Sequence, residues 1–199
     1  MSLPSIILDH SQALPEGTVM SPKEFLHLGS RAAVDQAFSR LTKGGMLSRV
    51  ARGIYVRTAK GVRESALTLE KVVKSMAVKG KAAIVLGGGK AAELFGLTSP
   101  QQHRQEYLTS GQTRQLKIGE EMTLLRHAPR WMLALDGSMA GNALRALAWF
   151  GPQKADEAAV QLRLRMSGLE WEALSSIRGR LPSWMAIAIG RASTAQESQ

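Results

Sequence analysis

The chain has 199 residues, 44% of them apolar, which is enough for one medium domain or for a small domain joined to a larger one. It contains no cysteine, which excludes disulfides, thiolate catalysis and cysteine-type zinc sites. Lys and Arg number 26 against 16 Asp and Glu, and the resulting formal charge of +10 favours a polyanionic partner, either nucleic acid or an anionic membrane surface.

Membrane insertion finds no support in the sequence. The start of the chain has neither a basic region nor a long apolar stretch, so we expect no secretory signal. The longest apolar runs, residues 82–86, 131–135 and 185–189, are far shorter than the ~20 residues that span a bilayer. We therefore expect a cytoplasmic protein without membrane association, and the absence of cysteine fits that compartment.

The first predicted elements lie before residue 30. Residues 6–8 begin a short apolar segment that ends at a turn signal over residues 14–17. Ser21 can cap a helix, Pro22 suits its first position and Glu24 completes a capping box. The helix predicted here is short, because Gly29 follows soon after.

A second helix is predicted from Ser30 as N-cap to Lys43, where two glycines end it. Its apolar residues recur at the spacing of a helix buried on one side, and they are Val34, Ala37, Phe38 and Leu41. Two helices joined by a tight turn that contains glycine form a helix-turn-helix, whose second helix enters the DNA major groove.

A hairpin is predicted directly after this helix. Residues 46–51 and 53–57 read as short β segments, and residues 51–53 can turn between them. A helix-turn-helix followed by a hairpin is the winged form of the fold. Residues 40–63 contain no acid, and their basic residues are Arg40, Lys43, Arg49, Arg52, Arg57, Lys60 and Arg63.

These side chains predict contact with double-stranded DNA. Cations on a helix and an adjacent wing can neutralise phosphates on both sides of a groove. Arg31, Gln36 and Ser39 have the chemistry to contact base edges. The alternative is a protein–protein interaction module with a solvated basic face and no DNA binding, since winged helices also serve that purpose.

The same stretch resembles the winged-helix start of the AbiEi-like antitoxins and related bacterial transcriptional regulators. The resemblance runs from Ser21 to Tyr55, and its most specific part is the spacing Arg-Leu-x-x-x-Gly-x-Leu-x-Arg-x-x-x-Gly-x-Tyr from Arg40 to Tyr55. It continues weakly through residues 88–97, 107–113 and 182–185, and so covers most of the chain while only the first third is sharp.

This resemblance implies an autorepressing antitoxin of a type IV toxin–antitoxin system, which binds operator DNA and whose partner toxin is a nucleotidyltransferase-like protein. By matching position, it implies DNA contacts from Ser30, Arg31, Gln36, Ser39, Arg40 and Lys43 on the helix, and from Arg49, Arg52 and Arg57 on the wing.

The remainder of the chain predicts an α+β domain. We expect a polar linker over 58–63, helices over 65–79 (with Leu69 off its apolar stripe) and 90–95, and a small antiparallel sheet from residues 106–109, 115–118 and 122–126. A helical part follows, with helices over 141–150, 153–166, 169–178 and 182–192, the third preceded by a capping box of Ser167 and Glu170. The predicted organisation is a winged helix-turn-helix over 1–60, an α+β domain over 61–192 and a loose tail over 193–199.

No enzymatic activity and no cofactor or metal is predicted. The four histidines form no metal-binding pair. The Gly87-Gly88-Gly89-Lys90 stretch lacks the earlier glycine and the following Ser or Thr of a Walker A loop, so its glycines are interpreted as a tight entry to a helix.

Overall fold

The structure, a computed structural model, describes residues 2–58, 69–99 and 105–197. The chain divides into two compact units, Met1–Ala82 with Arg114–Thr123, and Ala83–Thr113 with Leu124–Gln199. Both contain helices and strands, which confirms the predicted α+β class. The predicted linker over 58–63 and the predicted domain boundary between residues 60 and 61 lie outside the described residues, apart from Thr58.

The described residues form eight α-helices and seven strands, with short 3-10 helices between some of them. In chain order they are α1 (Leu3–Ala13), β1 (Val19–Met20), α2 (Arg31–Lys43), β2 (Leu47–Ala51), β3 (Ile54–Arg57), α3 (Leu69–Gly80), β4 (Ile84–Leu86), α4 (Gly88–Leu94), β5 (Glu106–Thr109), β6 (Arg114–Ile118), β7 (Glu121–His127), α5 (Met139–Phe150), α6 (Ala155–Arg165), α7 (Gly168–Ser176) and α8 (Ser183–Glu197).

Helix α1 was not predicted from the sequence. The Ser2 side chain caps it by accepting from the Ser5 N–H at 3.4 Å, and Pro4 lies in its first turn. Its buried face contains Ile7 and Ser11. The Ser11 hydroxyl donates to the Leu8 carbonyl at 2.7 Å, so a polar residue occupies an apolar position and hides the helical pattern.

The predicted helix starts at Ser21 and Ser30 are both confirmed. The capping box joins Ser21 and Glu24, whose carboxylate accepts the Ser21 N–H at 2.9 Å, but the segment it starts is a 3-10 helix over Pro22–Leu28. Ser30 caps α2, and Gly45, at φ +68°, ends that helix where few other residues fit.

The predicted hairpin is also confirmed, and it belongs to a three-stranded antiparallel sheet of order β1-β3-β2. Gly53, at φ +71°, makes the turn. In this register Arg49 lies opposite Tyr55 and Leu47 lies opposite Arg57. Facing residues of an antiparallel pair share one side of the sheet, so these four side chains lie on one side.

Helix α3 packs against the segment that precedes the 3-10 helix. Ser75 Oγ accepts the Val19 N–H at 2.9 Å, and Lys71 pairs with Glu16 at 3.1 Å. Residues 65–68 of the predicted helix lie outside the described residues, and the remainder is confirmed. Leu69 is buried at 8% exposure, so the expectation that it lies off the apolar stripe is wrong.

Strands β4, β5 and β7 belong to a mixed sheet, so the prediction of a small antiparallel sheet is wrong for β5 and β7. Strand β4, which was not predicted, pairs antiparallel with β5, whereas β5 pairs parallel with β7 over Glu106–Leu124 to Thr109–His127. The chain runs through β6 between β5 and β7, and β6 and β7 are hydrogen-bonded neighbours. The chain reverses direction at each end of β6, so β7 runs in the same direction as β5.

The helical part of the second unit forms its core, to which α4, α5, α6, α7 and α8 contribute small and aliphatic side chains and the Trp171 ring. The predicted helices are confirmed with shifted ends. A 3-10 helix over Pro152–Lys154 precedes α6, and α8 continues to Glu197, so the predicted helix end at Ala192 is too early. The capping box of Ser167 and Glu170 is present at the start of α7.

Candidate nucleic-acid interface

Helix α2 presents a polar face that is separate from its buried face. Val34, Ala37, Phe38 and Leu41 are buried. At about 100° per residue, Gln36, Ser39 and Lys43 lie within roughly 30° of the direction opposite to that buried stripe, and Arg40 lies beside them. All four side chains are exposed. Four of the six contact residues predicted on this helix are therefore brought together on one accessible surface.

The N-terminal turn of α2 uses two of the predicted contact residues locally. The Ser30 hydroxyl accepts the Ala33 N–H at 3.3 Å, which leaves its own proton free to be donated. Arg31 pairs with Asp35 at 2.8 Å in an exposed i, i+4 ion pair. Arg31 is therefore partly neutralised, unlike the cations further along the helix.

The hairpin contributes three cations, and the strand register decides where two of them point. Arg49 and Arg57 lie on the same side of the sheet as Tyr55. Arg49 is exposed, Arg57 is half-buried, and Arg52 is exposed in the turn. Tyr55 faces α2, so this side of the hairpin adjoins the helix that carries the polar face.

Aromatic contacts fix the position of α2 relative to the hairpin. The Phe38 ring lies 4.7 Å from the Tyr55 ring and 5.5 Å from the Phe25 ring, and the Phe25 ring in turn meets the edge of His10 at 5.2 Å. Offset and edge-to-face aromatic pairs add stability beyond the apolar area that they bury. One continuous column therefore links α1, the 3-10 helix, α2 and β3.

Two cations elsewhere in the first unit form ion pairs, unlike most of those on this surface. Lys71 and Lys79 pair with Glu16 and Glu24, respectively. Within the described residues no ion pair is formed by Arg40, Lys43, Arg49, Arg52 or Arg57. Cations that have no carboxylate partner among the described residues attract a polyanion more strongly than paired cations do.

Sequence reasoning missed two further basic residues close to the hairpin. Strand β6 belongs to the first unit and contacts β2, although more than sixty residues separate the two in the chain. Its Leu116 is fully buried, whereas Arg114 and Lys117 are exposed. The alternation within β6 indicated a half-buried strand, but no local signal indicated which strand it would contact.

The glycines of the 87–90 stretch serve packing. A Cβ on Gly88 would lie 2.5 Å from the Arg145 carbonyl oxygen and 2.6 Å from Trp149 Cβ, so the glycine lets α4 approach α5 closely. Within the described residues no group of three His, Cys, Asp or Glu side chains is placed to hold a metal ion. In the same part of the chain, no helix is both long and apolar enough to cross a bilayer.

Comparison with known proteins places the chain in a family without assigning it an activity. No curated protein matches it. No solved structure matches it either. The resemblance to the AbiEi-like antitoxins thus stays a prediction. One family model matches over residues 6–166, from α1 to just beyond α6, and the chain therefore belongs to DUF6088, a family of unknown function.

Proposed function

We propose that the first unit is a winged helix that binds double-stranded DNA and that the protein regulates transcription. One observation carries the proposal: cations of α2 and of the hairpin that form no ion pair among the described residues lie on accessible surface, and the contact between Phe38 and Tyr55 joins its two parts. In this arrangement α2 is the reading helix and the β2–β3 hairpin is the wing.

The polar face of α2 suits the major groove. Gln36 can form two hydrogen bonds with adenine, and Ser39 can donate to or accept from a base edge. Arg40 and Lys43 lie at the end of the same face and are suited to phosphate. Ser30 and Arg31, at the start of α2, are suited to contacts with the DNA backbone or with bases next to the helix N-terminus.

The wing supplies phosphate contacts beside that groove. Arg49, Arg52 and Arg57 can neutralise phosphates that α2 does not reach. If about five cations of the whole surface contact phosphate, log K falls with log salt at a slope of about −4 to −5. The Arg31–Asp35 pair contributes little to this slope, because its charge is already compensated.

The more specific form of this proposal is that the protein is the autorepressing antitoxin of a type IV system. Its partners would then be operator DNA and a nucleotidyltransferase-like toxin. It rests on the residues from Arg40 to Tyr55 that resemble the AbiEi-like antitoxins. The second candidate function is a protein–protein interaction module. The unpaired cations would then meet an acidic protein surface instead of DNA.

Fluorescence anisotropy with labelled DNA from upstream of the gene, measured at rising salt, tests the proposal. We expect tight binding at low salt, a slope of about −4 to −5, and a loss of sequence preference in Gln36→Ala worth about 1–3 kcal/mol. Glu172→Ala, a change on α7 in the second unit, serves as the control. Absence of binding at low salt would sink the DNA proposal and leave the interaction module.

A further inference from the structure

The outward face of α6 carries an exposed apolar pair. Val160 is 41% exposed and Leu164 is 64% exposed. Residues four apart lie on the same side of a helix, so the two form one patch. The opposite side of α6 packs into the core through Ala155, Ala158, Ala159 and Leu162. Val160 and Leu164 consequently point away from the core of their own unit.

Opposite charges lie at the two ends of this patch. Glu157 is in the first turn of α6 and Arg165 is its last residue. Neither forms an ion pair within the described part of the chain. Arg165 instead donates to the side-chain oxygen of Gln161 at 2.6 Å and to its carbonyl at 2.9 Å. Gln161 lies midway between the two charged residues.

We propose that this face of α6 binds the same face of a second copy of the chain. The two helices pack antiparallel about a two-fold axis near Gln161, so Val160 and Leu164 of one copy cover those of the other. The same rotation brings Glu157 of each copy to Arg165 of the other. A two-fold interface requires a surface that is complementary to itself, and an apolar centre between opposite charges meets that requirement.

The self-complementarity of this face favours a second copy of the chain over a different protein as its partner. A different protein would have to present an acid and a base at the same spacing, which eight helical residues set at about 12 Å. Another α6 presents that spacing in reversed order by symmetry alone. The interface is independent of DNA binding, although a dimer would present two reading helices, as repressors of palindromic operators do.

The size of the face predicts a weak dimer. Eleven helical residues span only about 16 Å, so the pair buries less than the ~1,200–2,000 Å² of a stable interface. We therefore expect association that depends on concentration and that decreases as salt screens the two charge pairs.

Sedimentation equilibrium of the full chain without DNA, from micromolar to near-millimolar protein at low salt, tests the proposal. We expect a monomer–dimer equilibrium that Leu164→Glu abolishes. Glu157→Arg and Arg165→Glu should each weaken association about tenfold or more, which corresponds to about 1.4 kcal/mol. The double variant, E157R with R165E, should recover association, because each pair then has its charges exchanged.

Two matched variants control for nonspecific effects. Leu169, at the start of α7, is 81% exposed, and Leu169→Glu should leave association unchanged. Glu172→Arg makes the same charge change as Glu157→Arg on α7 and should also have no effect. Circular dichroism checks that each variant keeps its helices, since reversed charges at helix ends oppose the helix dipole. A monomer at every concentration, or a folded double variant that fails to recover association, overturns the proposal.

Discussion

The Tyr55 ring of β3 lies on the Phe38 ring of α2, with their centroids 4.7 Å apart and their planes inclined at 50°. Phe38 is fully buried and Tyr55 is half-buried, so the contact reaches from the core of the first unit towards its surface. Arg49 lies opposite Tyr55 in the register and therefore on the side of the hairpin that faces α2. The geometry of the proposed DNA-binding surface therefore depends on an aromatic contact that itself touches no DNA.

A double-mutant cycle measures this contact. Phe38→Leu and Tyr55→Leu should each lower the free energy of unfolding, Phe38→Leu by more because its side chain is fully buried. Together they should show a coupling of about 0.5–1.5 kcal/mol, since aromatic pairs contribute that much beyond buried area. Urea unfolding of the four proteins gives the value, and additive losses would show that the rings contribute only as separate apolar groups.

Neutralising the hairpin cations should weaken DNA binding without changing sequence preference. Arg49→Gln and Arg52→Gln each remove one exposed charge, so each should reduce the magnitude of the salt slope by about 0.9. Anisotropy titrations at several salt concentrations measure the slope. Arg180→Gln, an equal charge change in the second unit, should leave it unaltered. An equal decrease in all three variants would point to net charge rather than to a located surface.

The sequence could predict what neighbouring residues determine. Capping at Ser21, Ser30 and Ser167 and the turn at Gly53 each depend on hydrogen bonds or φ values within a few residues, and these marked the helix starts and the hairpin correctly. The nine candidate DNA contacts also lie in one continuous stretch, so a local pattern was enough to place them on two adjacent elements.

What the sequence could not predict depends on distant partners. The parallel pairing of β5 with β7, and the approach of β6 with Arg114 and Lys117 to β2, join segments that carry no local sign of each other. Helix α1 was missed because Ser11 occupies a buried position and satisfies its hydroxyl on the Leu8 carbonyl. In each case tertiary contacts override the local pattern.

Arg145 is expected to be essential for the stability of the second unit. It is fully buried on α5, and its guanidinium donates to the Asp136 carbonyl at 2.7 Å and to Asn142 Oδ1 at 2.8 Å. Burial lowers the pKa of Arg145 to about 10, a decrease that the nearby Asp136 carboxylate opposes. The side chain therefore remains charged at neutral pH and holds these acceptors with charged donors.

Arg145→Met should thus lower the free energy of unfolding by about 3 kcal/mol, because it leaves buried acceptors without donors. Arg130→Met, at an exposed position in the same unit, should cost less than about 0.5 kcal/mol. Guanidinium unfolding compares the two variants. Equal losses would mean that the buried hydrogen bonds of Arg145 contribute nothing beyond its bulk.

Acidification should remove the contribution of the Glu170 cap to α7. The backbone N–H and the hydroxyl of Ser167 donate to the Glu170 carboxylate and lower its pKa from the usual 4.5. A carboxyl whose pKa is lower in the folded state contributes stability above its unfolded pKa and loses it as the pH falls through the folded pKa. The contribution of the Glu170 carboxylate to stability is therefore complete at pH 7, and it is lost progressively as the pH falls below 4.5 through the lowered pKa.

Glu170→Gln should accordingly have a lower Tm than the parent protein at pH 7, and the difference should shrink when both are measured at rising acidity below pH 4.5. Glu172→Gln, on the same helix but without a role in its cap, should show no such pH-dependent difference. A Tm difference for Glu170→Gln that stays constant through acidification would contradict the assignment of the lowered pKa to the cap.

Gly17 and Gly53 offer a matched pair of substitutions in the first unit. Both have positive φ, +80° and +71°, which costs an alanine roughly 1–2 kcal/mol. They differ in their surroundings: a Cβ on Gly17 would lie 2.7 Å from Lys71 Cβ, whereas nothing lies within 4 Å of one on Gly53. Gly53→Ala therefore reports backbone strain alone, while Gly17→Ala also pushes α3 away from the segment it packs on.

We expect Gly17→Ala to lower the free energy of unfolding by about 1–3 kcal/mol more than Gly53→Ala, since a Cβ forced into a packed contact adds a cost of that order. Displacement of α3 would also stretch the 2.9 Å hydrogen bond from the Val19 N–H to Ser75 Oγ. Amide hydrogen exchange at Val19 should consequently be faster in Gly17→Ala than in Gly53→Ala. Equal unfolding free energies with unchanged exchange at Val19 would mean that α3 can shift without loss of stability. Its contacts with residues 16–24 would then not hold the first unit together.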